Sequence, residues 1–301
     1  MKGFGCCLAI GSFVPQIDGN KNEQKSIVEE LKESFEILSI NGYDFAELTV
    51  GALANLSEDE YDSVVHELRR SPIPVPIYNS FVPATIPLTG LDVSRQTIEA
   101  YLDKSTHRIA NAGGRMIIFG SGAARKAPDG FPIETAMEQI QSFLHMCEIR
   151  ANSLGITIAI EPLNRQETNV INSVDEAVEL TRTLGLPHIK VLADSYHMFV
   201  ENESYNVIDD AAPWLAHVHI SDRDRIYPGR LTEESRISGG INGPLAGAAG
   251  TGGGPGVDFN SFFTALKNIE YEGLISTECP FDDFETETKE SLMFIQDQWN
   301  S

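Results

Sequence analysis

The chain has 301 residues, 42% of them hydrophobic, with 25 Gly and 15 Pro spread along it; a sizeable core is within reach and wholesale disorder is disfavoured. Its 44 acidic residues outnumber 22 basic ones, giving a formal charge of −22, a surface that repels phosphate backbones and anionic lipid, attracts cations, and so argues against general nucleic-acid or membrane binding. The length suits either two ordinary domains or one large α/β barrel.

The chain opens with MKGFGCCLAIGSFVP, whose apolar run is too short to span a bilayer and has one Lys ahead of it. Residues 3–10 are predicted as a strand, with a signal peptide as the weaker alternative. Residues 24–42 carry Ile27, Leu31, Phe35 and Leu38 at helical spacing and stop at Asn-Gly. A strand at 43–48 follows, then a helix opened by the capping box Ser57/Glu60 and running to Arg70. Residues 74–81 read as a third strand, 92–112 as a helix, 115–122 as a fourth strand and 133–154 as a long helix. The fifth strand is 156–161; Ser173 with Glu176 forms another capping box, for a helix ending at Gly185. Strands at 189–194, 215–221 and 273–278 alternate with helices at 203–213, 258–269 and 283–299. No segment approaches about 18 uninterrupted apolar residues, and the expected setting is the cytoplasm. Cys6, Cys7, Cys147 and Cys279 form no C-x-x-C pair, which disfavours a disulfide scaffold or a zinc knuckle.

Eight strands alternating with eight helices is the count of a (β/α)8 TIM barrel, here spanning 1–301 as a single α/β domain. A doubly wound open sheet is the competitor. It would advertise a glycine-rich turn after its first strand, and GSFVPQIDGNKN contains no G-x-G-x-x-G. A Gly-rich insertion around 222–257 follows the seventh strand, with its low-complexity part at 238–256. It is either a disordered excursion or a flap whose glycines let it fold over a ligand.

Barrel chemistry sits at the C-terminal ends of strands. The last polar residues of strands five to eight are Glu161, Asp194, His219 and Glu278. Period-2 alternation puts Ile156, Ile158 and Ile160 toward the helices, and Thr157, Ala159 and Glu161 toward the axis. It likewise puts His217, His219 and Ser221 on one face and Val218 and Ile220 on the other. A single strand-end acid more often caps a helix or pairs with an Arg. Three unpaired carboxylates in one pocket repel one another and force protonation, and a divalent cation removes that cost. The oxygen-rich set with one nitrogen and no thiolate suits Mn²⁺ first, with Mg²⁺ or Co²⁺ as alternatives.

EPLNRQE at 161–167, DSYHM at 194–198, HVHISDRDR at 217–225 and STE at 276–278 resemble the ketose 3-epimerase family (D-tagatose and D-psicose 3-epimerases) within the xylose-isomerase-like barrel superfamily. The resemblance runs from about residue 115 onward and is sharpest over 158–225. It implies metal ligands at Glu161, Asp194, His219 and Glu278, and substrate contacts at Glu167, His197 and Arg225. It also implies a small-molecule sugar substrate and a homo-oligomer, dimer or tetramer. One departure from the family is the 222–257 insertion. Another is Arg125 with Lys126 after strand four, two cations that either meet a phosphate or acidic sugar or belong to a solvated loop.

The implied function is a metal-dependent sugar epimerase or isomerase acting on a ketose or keto-sugar derivative through an enediolate. Inverting a carbon needs proton removal on one face and return on the other; Glu161 and Glu278 are the candidates for that pair. The nearest alternative is an aldose–ketose isomerase, of hydroxypyruvate or sugar-phosphate type. A non-catalytic sugar-binding barrel is the alternative from another class. An apurinic-type endonuclease would need more histidines for its metals, and four of the seven here (His66, His107, His145 and His188) fall in helices or ahead of strands. His217, deeper than His219, is expected to be structural.

Overall fold

Short runs that alternate inward and outward cannot satisfy their own backbone, but side by side they form a ladder, and here the ladder closes on itself. The computed structural model describes residues 2–10, 25–231 and 255–301. Its strands are β1 (Gly3–Leu8), β2 (Phe45–Thr49), β3 (Ile77–Asn79), β4 (Met116–Phe119), β5 (Thr157–Ile160), β6 (Ile189–Asp194), β7 (Leu215–Ile220) and β8 (Leu274–Thr277). Each pairs in parallel with the next, and β8 pairs with β1, so the sheet is a closed barrel in sequence order. The expected TIM barrel is therefore present. Most of the glycine-rich stretch at 238–256 lies outside the described residues.

The helices are α1 (Ile27–Asn41), α2 (Gly51–Ala54), α3 (Glu58–Leu68), α4 (Arg95–Asn111), α5 (Gly122–Arg125), α6 (Ile133–Leu154), α7 (Val174–Leu184), α8 (Ser195–Val200), α9 (Val207–Ala211), α10 (Phe259–Asn268) and α11 (Phe284–Asn300). No helix among the described residues is long and apolar enough to cross a membrane. Helices α2, α5 and α8 carry no periodic signal, because pieces of four to six residues are too short to display a helical period. The third strand is shorter than expected: Pro74 and Pro76 have no N–H to give to a ladder, although their carbonyls still accept from Ala46 and Arg115.

The capping box at Ser57/Glu60 is complete. The one expected at Ser173/Glu176 is half formed. Ser173 accepts from the Glu176 N–H at 3.1 Å, but the Glu176 carboxylate accepts from the Asn172 N–H at 2.6 Å instead of the Ser173 N–H.

Strand alternation sorts the core into two. Ile156, Ile158, Ile160, Val218 and Ile220 pack outward among the helices. Inside the barrel, Phe45, Ile77, Ile118, Ala159 and Leu192 form a floor flanked by Met116 and Leu274. Phe45 fits there because its neighbour on β1 is glycine: a Cβ on Gly5 would lie 2.3 Å from the ring. Above that floor most inward side chains turn polar, and Glu47, His217 and Ser276 are fully buried.

Arg125 corrects an expectation. It neither faces a ligand nor belongs to a solvated loop; it is fully buried. Its guanidinium donates to the carbonyls of Phe119 (3.1 Å), Glu161 (2.9 Å) and Ile171 (3.2 Å). It thus ties the ends of β4 and β5 to the chain that follows β5. Burial lowers its pKa to about 10, so it remains a cation at neutral pH. Lys126 is exposed.

Candidate active site

Glu161, Asp194, His219 and Glu278 come together at the C-terminal mouth of the barrel. Each offers one ligand atom, and those atoms all lie within 4.8 Å of one another. His219 Nδ1 is 3.1 Å from Glu161 Oε1 and 3.4 Å from Glu278 Oε2. Asp194 ends β6 and caps α8: its Oδ1 accepts from the N–H groups of Tyr196 (2.7 Å) and His197 (3.2 Å). Its Oδ2 is buried with no partner among the described residues. Gly120 makes room for the first acid, since a Cβ there would lie 2.3 Å from Glu161 Oε2.

Without a cation these groups are in conflict. Burial, with added repulsion from Glu278, raises the Glu161 pKa. Burial raises Asp194 to about 7, against the pull of Arg225. Burial also works against ionisation of Glu278, but His219 and Arg225 outweigh it and hold that carboxyl well below its usual range. Crowded acids that resist ionisation, and one carboxylate oxygen with nothing to bind, fit a divalent cation. Cys7, Glu47 and His219 form a second group of ligand atoms within 4.8 Å. Cys7 Sγ lies 3.9 Å from His219 Nε2, on the side of the ring away from Glu161 and Glu278, and burial pushes its thiol pKa well up, so it is a poor thiolate ligand.

The three expected substrate contacts also converge. Arg225 Nη1 donates to Glu278 Oε2 at 2.9 Å, and Nη2 lies 3.5 Å from Glu167 Oε1 and 2.6 Å from His197 Nε2. The Arg225 guanidinium stands 4.8 Å from the centre of the Tyr196 ring, a cation–π contact. Arg225 and Asp224 both have left-handed backbone, with φ of 54° and 58°, unusual for residues with a Cβ. Asn164 organises the opposite side. Its N–H donates to His197 Nδ1 at 3.0 Å and its Nδ2 to Glu167 Oε1 at 3.1 Å. Burial, reinforced by the charge of Arg225, lowers the His197 pKa well below 6.5. A neutral imidazole has one lone-pair nitrogen, so Asn164 and Arg225 compete for it.

Sequence reasoning missed Glu47, Asn164 and Tyr196. Glu47 had a detectable signal: it shares the inward face of β2 with Phe45. His217 is fully buried, with Nε2 3.1 Å from Glu47 Oε2.

The family model for xylose isomerase-like TIM barrels matches residues 35–298. The ketose 3-epimerase of Arthrobacter globiformis is 34% identical over 125 residues, 41% of this chain and 35% of that protein, so the match spans about a third of the relative's length. The 3-dehydro-D-guloside 4-epimerase of Escherichia coli K12 is 25% identical over 271 residues, covering 85% of this chain and 89% of the relative. Among solved structures, a D-allulose 3-epimerase from Methylomonas sp. in complex with D-allulose superposes with a TM-score of 0.76 at 20% identity, over 99% of this chain and 97% of the other.

Proposed function

The chain belongs to the xylose isomerase-like TIM-barrel family, and from that footing we propose that it is a divalent-metal-dependent sugar epimerase. Its substrate is a ketose or keto-sugar derivative, and the reaction proceeds by proton abstraction through an enediolate. The observation that carries this is the meeting of Glu161, Asp194, His219 and Glu278 within 4.8 Å. Epimerase names among the relatives support the same reaction class.

These four side chains would hold the cation, Mn²⁺ being the best match to the donor set. When bound, such an ion supplies Lewis-acid polarisation of a carbonyl and its neighbouring hydroxyl. Glu161 and Glu278 take the α-proton from one face of the substrate and return one on the other, their roles exchanging with reaction direction. A ligand carboxylate stays ionised and positioned, at the cost of basicity. Arg225 already holds Glu278, and so positions one proton carrier while offering its remaining N–H groups to sugar oxygens. His197 and Glu167 contact the same oxygens, and Asn164 fixes both. A homodimer or homotetramer in the cytoplasm belongs to the same proposal.

The test is deuterium wash-in. Purified protein with Mn²⁺ is incubated in D₂O with ketoses, keto-glycosides and sugar phosphates, and carbon-bound deuterium is followed by NMR. Exchange with inversion at one carbon is expected. Transfer between adjacent carbons would replace epimerisation by aldose–ketose isomerisation, and no exchange in any substrate would leave a sugar-binding barrel. Glu278→Gln should abolish exchange; an unchanged rate would remove Glu278 from the proton-carrying pair.

A further inference from the structure

Glu47 belongs to none of the motifs that point to the site, yet it is fully buried on the inward face of β2, directly behind His219. Its hydrogen bonds come from three side chains, none of them Lys or Arg. Oε1 lies 3.0 Å from His219 Nε2. Oε2 accepts from Ser276 Oγ at 2.8 Å and lies 3.1 Å from His217 Nε2. His217 Nε2 and Ser276 Oγ are themselves 3.0 Å apart. The carboxylate is therefore gripped on one oxygen by β7 and β8, and its other oxygen is directed at one ring nitrogen.

An ionised carboxylate only accepts, so the nitrogen facing it must carry the hydrogen. The competing neighbour on that side is Cys7 Sγ at 3.9 Å, a longer and weaker contact. With Nε2 protonated, Nδ1 is the nitrogen left to bind a cation, and Nδ1 is the atom that faces Glu161 and Glu278.

We infer that Glu47 is a positioning residue for the metal centre: it fixes His219 in the Nε2–H form with Nδ1 aimed at the cation, and Ser276 and His217 in turn fix Glu47. The inference rests on the reading of Glu161, Asp194, His219 and Glu278 as a cation site. A partner of this kind orients a ligating imidazole and raises its basicity, and its loss costs roughly 10–100-fold in metal affinity. Glu47→Gln keeps the shape of the side chain, but half of its new head group is a donor facing donors.

Two measurements test this without recourse to turnover. In the first, protein labelled with ¹⁵N-histidine and loaded with diamagnetic Zn²⁺ is studied by long-range ¹H–¹⁵N correlation, with the His219 signals assigned from a His219→Gln variant. The expected pattern is a protonated Nε2 and a metal-shifted Nδ1; a protonated Nδ1 in the loaded wild type overturns the inference, and this arm needs no Glu47 variant to fold. In the second, calorimetric titration with Mn²⁺ should show Glu47→Gln binding about 10–100-fold more weakly than wild type, with Ser276→Ala, a milder change, weakened in the same direction. Folded Glu47→Gln protein with wild-type Mn²⁺ affinity overturns the inference alone. Wild-type protein that binds neither ion overturns the cation site itself, and the inference with it.

Discussion

Gly120→Ala should separate the fold from the site. Position 120 is not in the left-handed region, so alanine can adopt its backbone. The new Cβ would lie 2.3 Å from Glu161 Oε2 but 3.4 Å from Glu161 Cδ and 3.7 Å from Leu163 Cδ2, both ordinary contacts. The clash therefore falls on the tip of one flexible side chain. Relieving it moves the carboxylate oxygen by about 1 Å, and a misplacement of that size costs on the order of 100-fold in rate, about 2.7 kcal/mol of barrier. Global stability should change by less than about 1 kcal/mol, because the Gly→Ala gain in the unfolded chain offsets a small strain. Urea denaturation would report the stability, calorimetry the Mn²⁺ affinity, and deuterium exchange the chemistry. A folded variant with wild-type affinity and exchange rate would refute the placement of Glu161 against Gly120.

Arg125→Met should do the reverse and strike the fold. It removes the guanidinium donor from the carbonyls of Phe119, Glu161 and Ile171. Those of Phe119 and Ile171 keep the Glu161 and Leu163 N–H groups, so a loss of about 1–3 kcal/mol, chiefly at the Glu161 carbonyl, is expected; an unchanged urea midpoint would remove its role as a brace. Metal removal should expose the conflict among the acids as a pH dependence. The carboxyl of Asp194 is raised from 3.8 to about 7 in the folded, cation-free chain. The native state then holds that proton more tightly than the unfolded state. Its contribution is fully present below the unfolded value and is lost as pH climbs through about 7. In EDTA, thermal midpoints should fall between pH 4 and pH 7, and Mn²⁺ should reverse the fall; a flat profile in both buffers would refute it.

Most of the barrel was legible because period-2 alternation is local. Glu161 and His219 could be assigned to the axis from four or five neighbouring residues, and each strand end then located one candidate ligand. What escaped depended on distant partners. Arg125 looked like a loop cation because its acceptors lie 36 and 46 residues further along the chain at Glu161 and Ile171. Glu47 looked like an ordinary strand acid, since its meaning comes from His217, His219 and Ser276, at least 170 residues away. Glu176 reads as half of a reciprocal cap with Ser173, but its carboxylate accepts from the Asn172 N–H instead. The four-residue α2 and α5 were invisible because one turn is not a pattern.

The two oxygens of Asp194 have different duties. One holds the first turn of α8, the turn that carries His197; the other is buried beside the acids with no partner among the described residues. In the proposed site a single rigid group therefore joins the cation's seat to the wall proposed to meet the sugar, with no intervening lever. Filling the seat stiffens the wall, and sugar pressing on His197 steadies the seat, so each ligand should tighten the other by the same factor. On the proposed reading, metal and substrate become partners in one binding equilibrium.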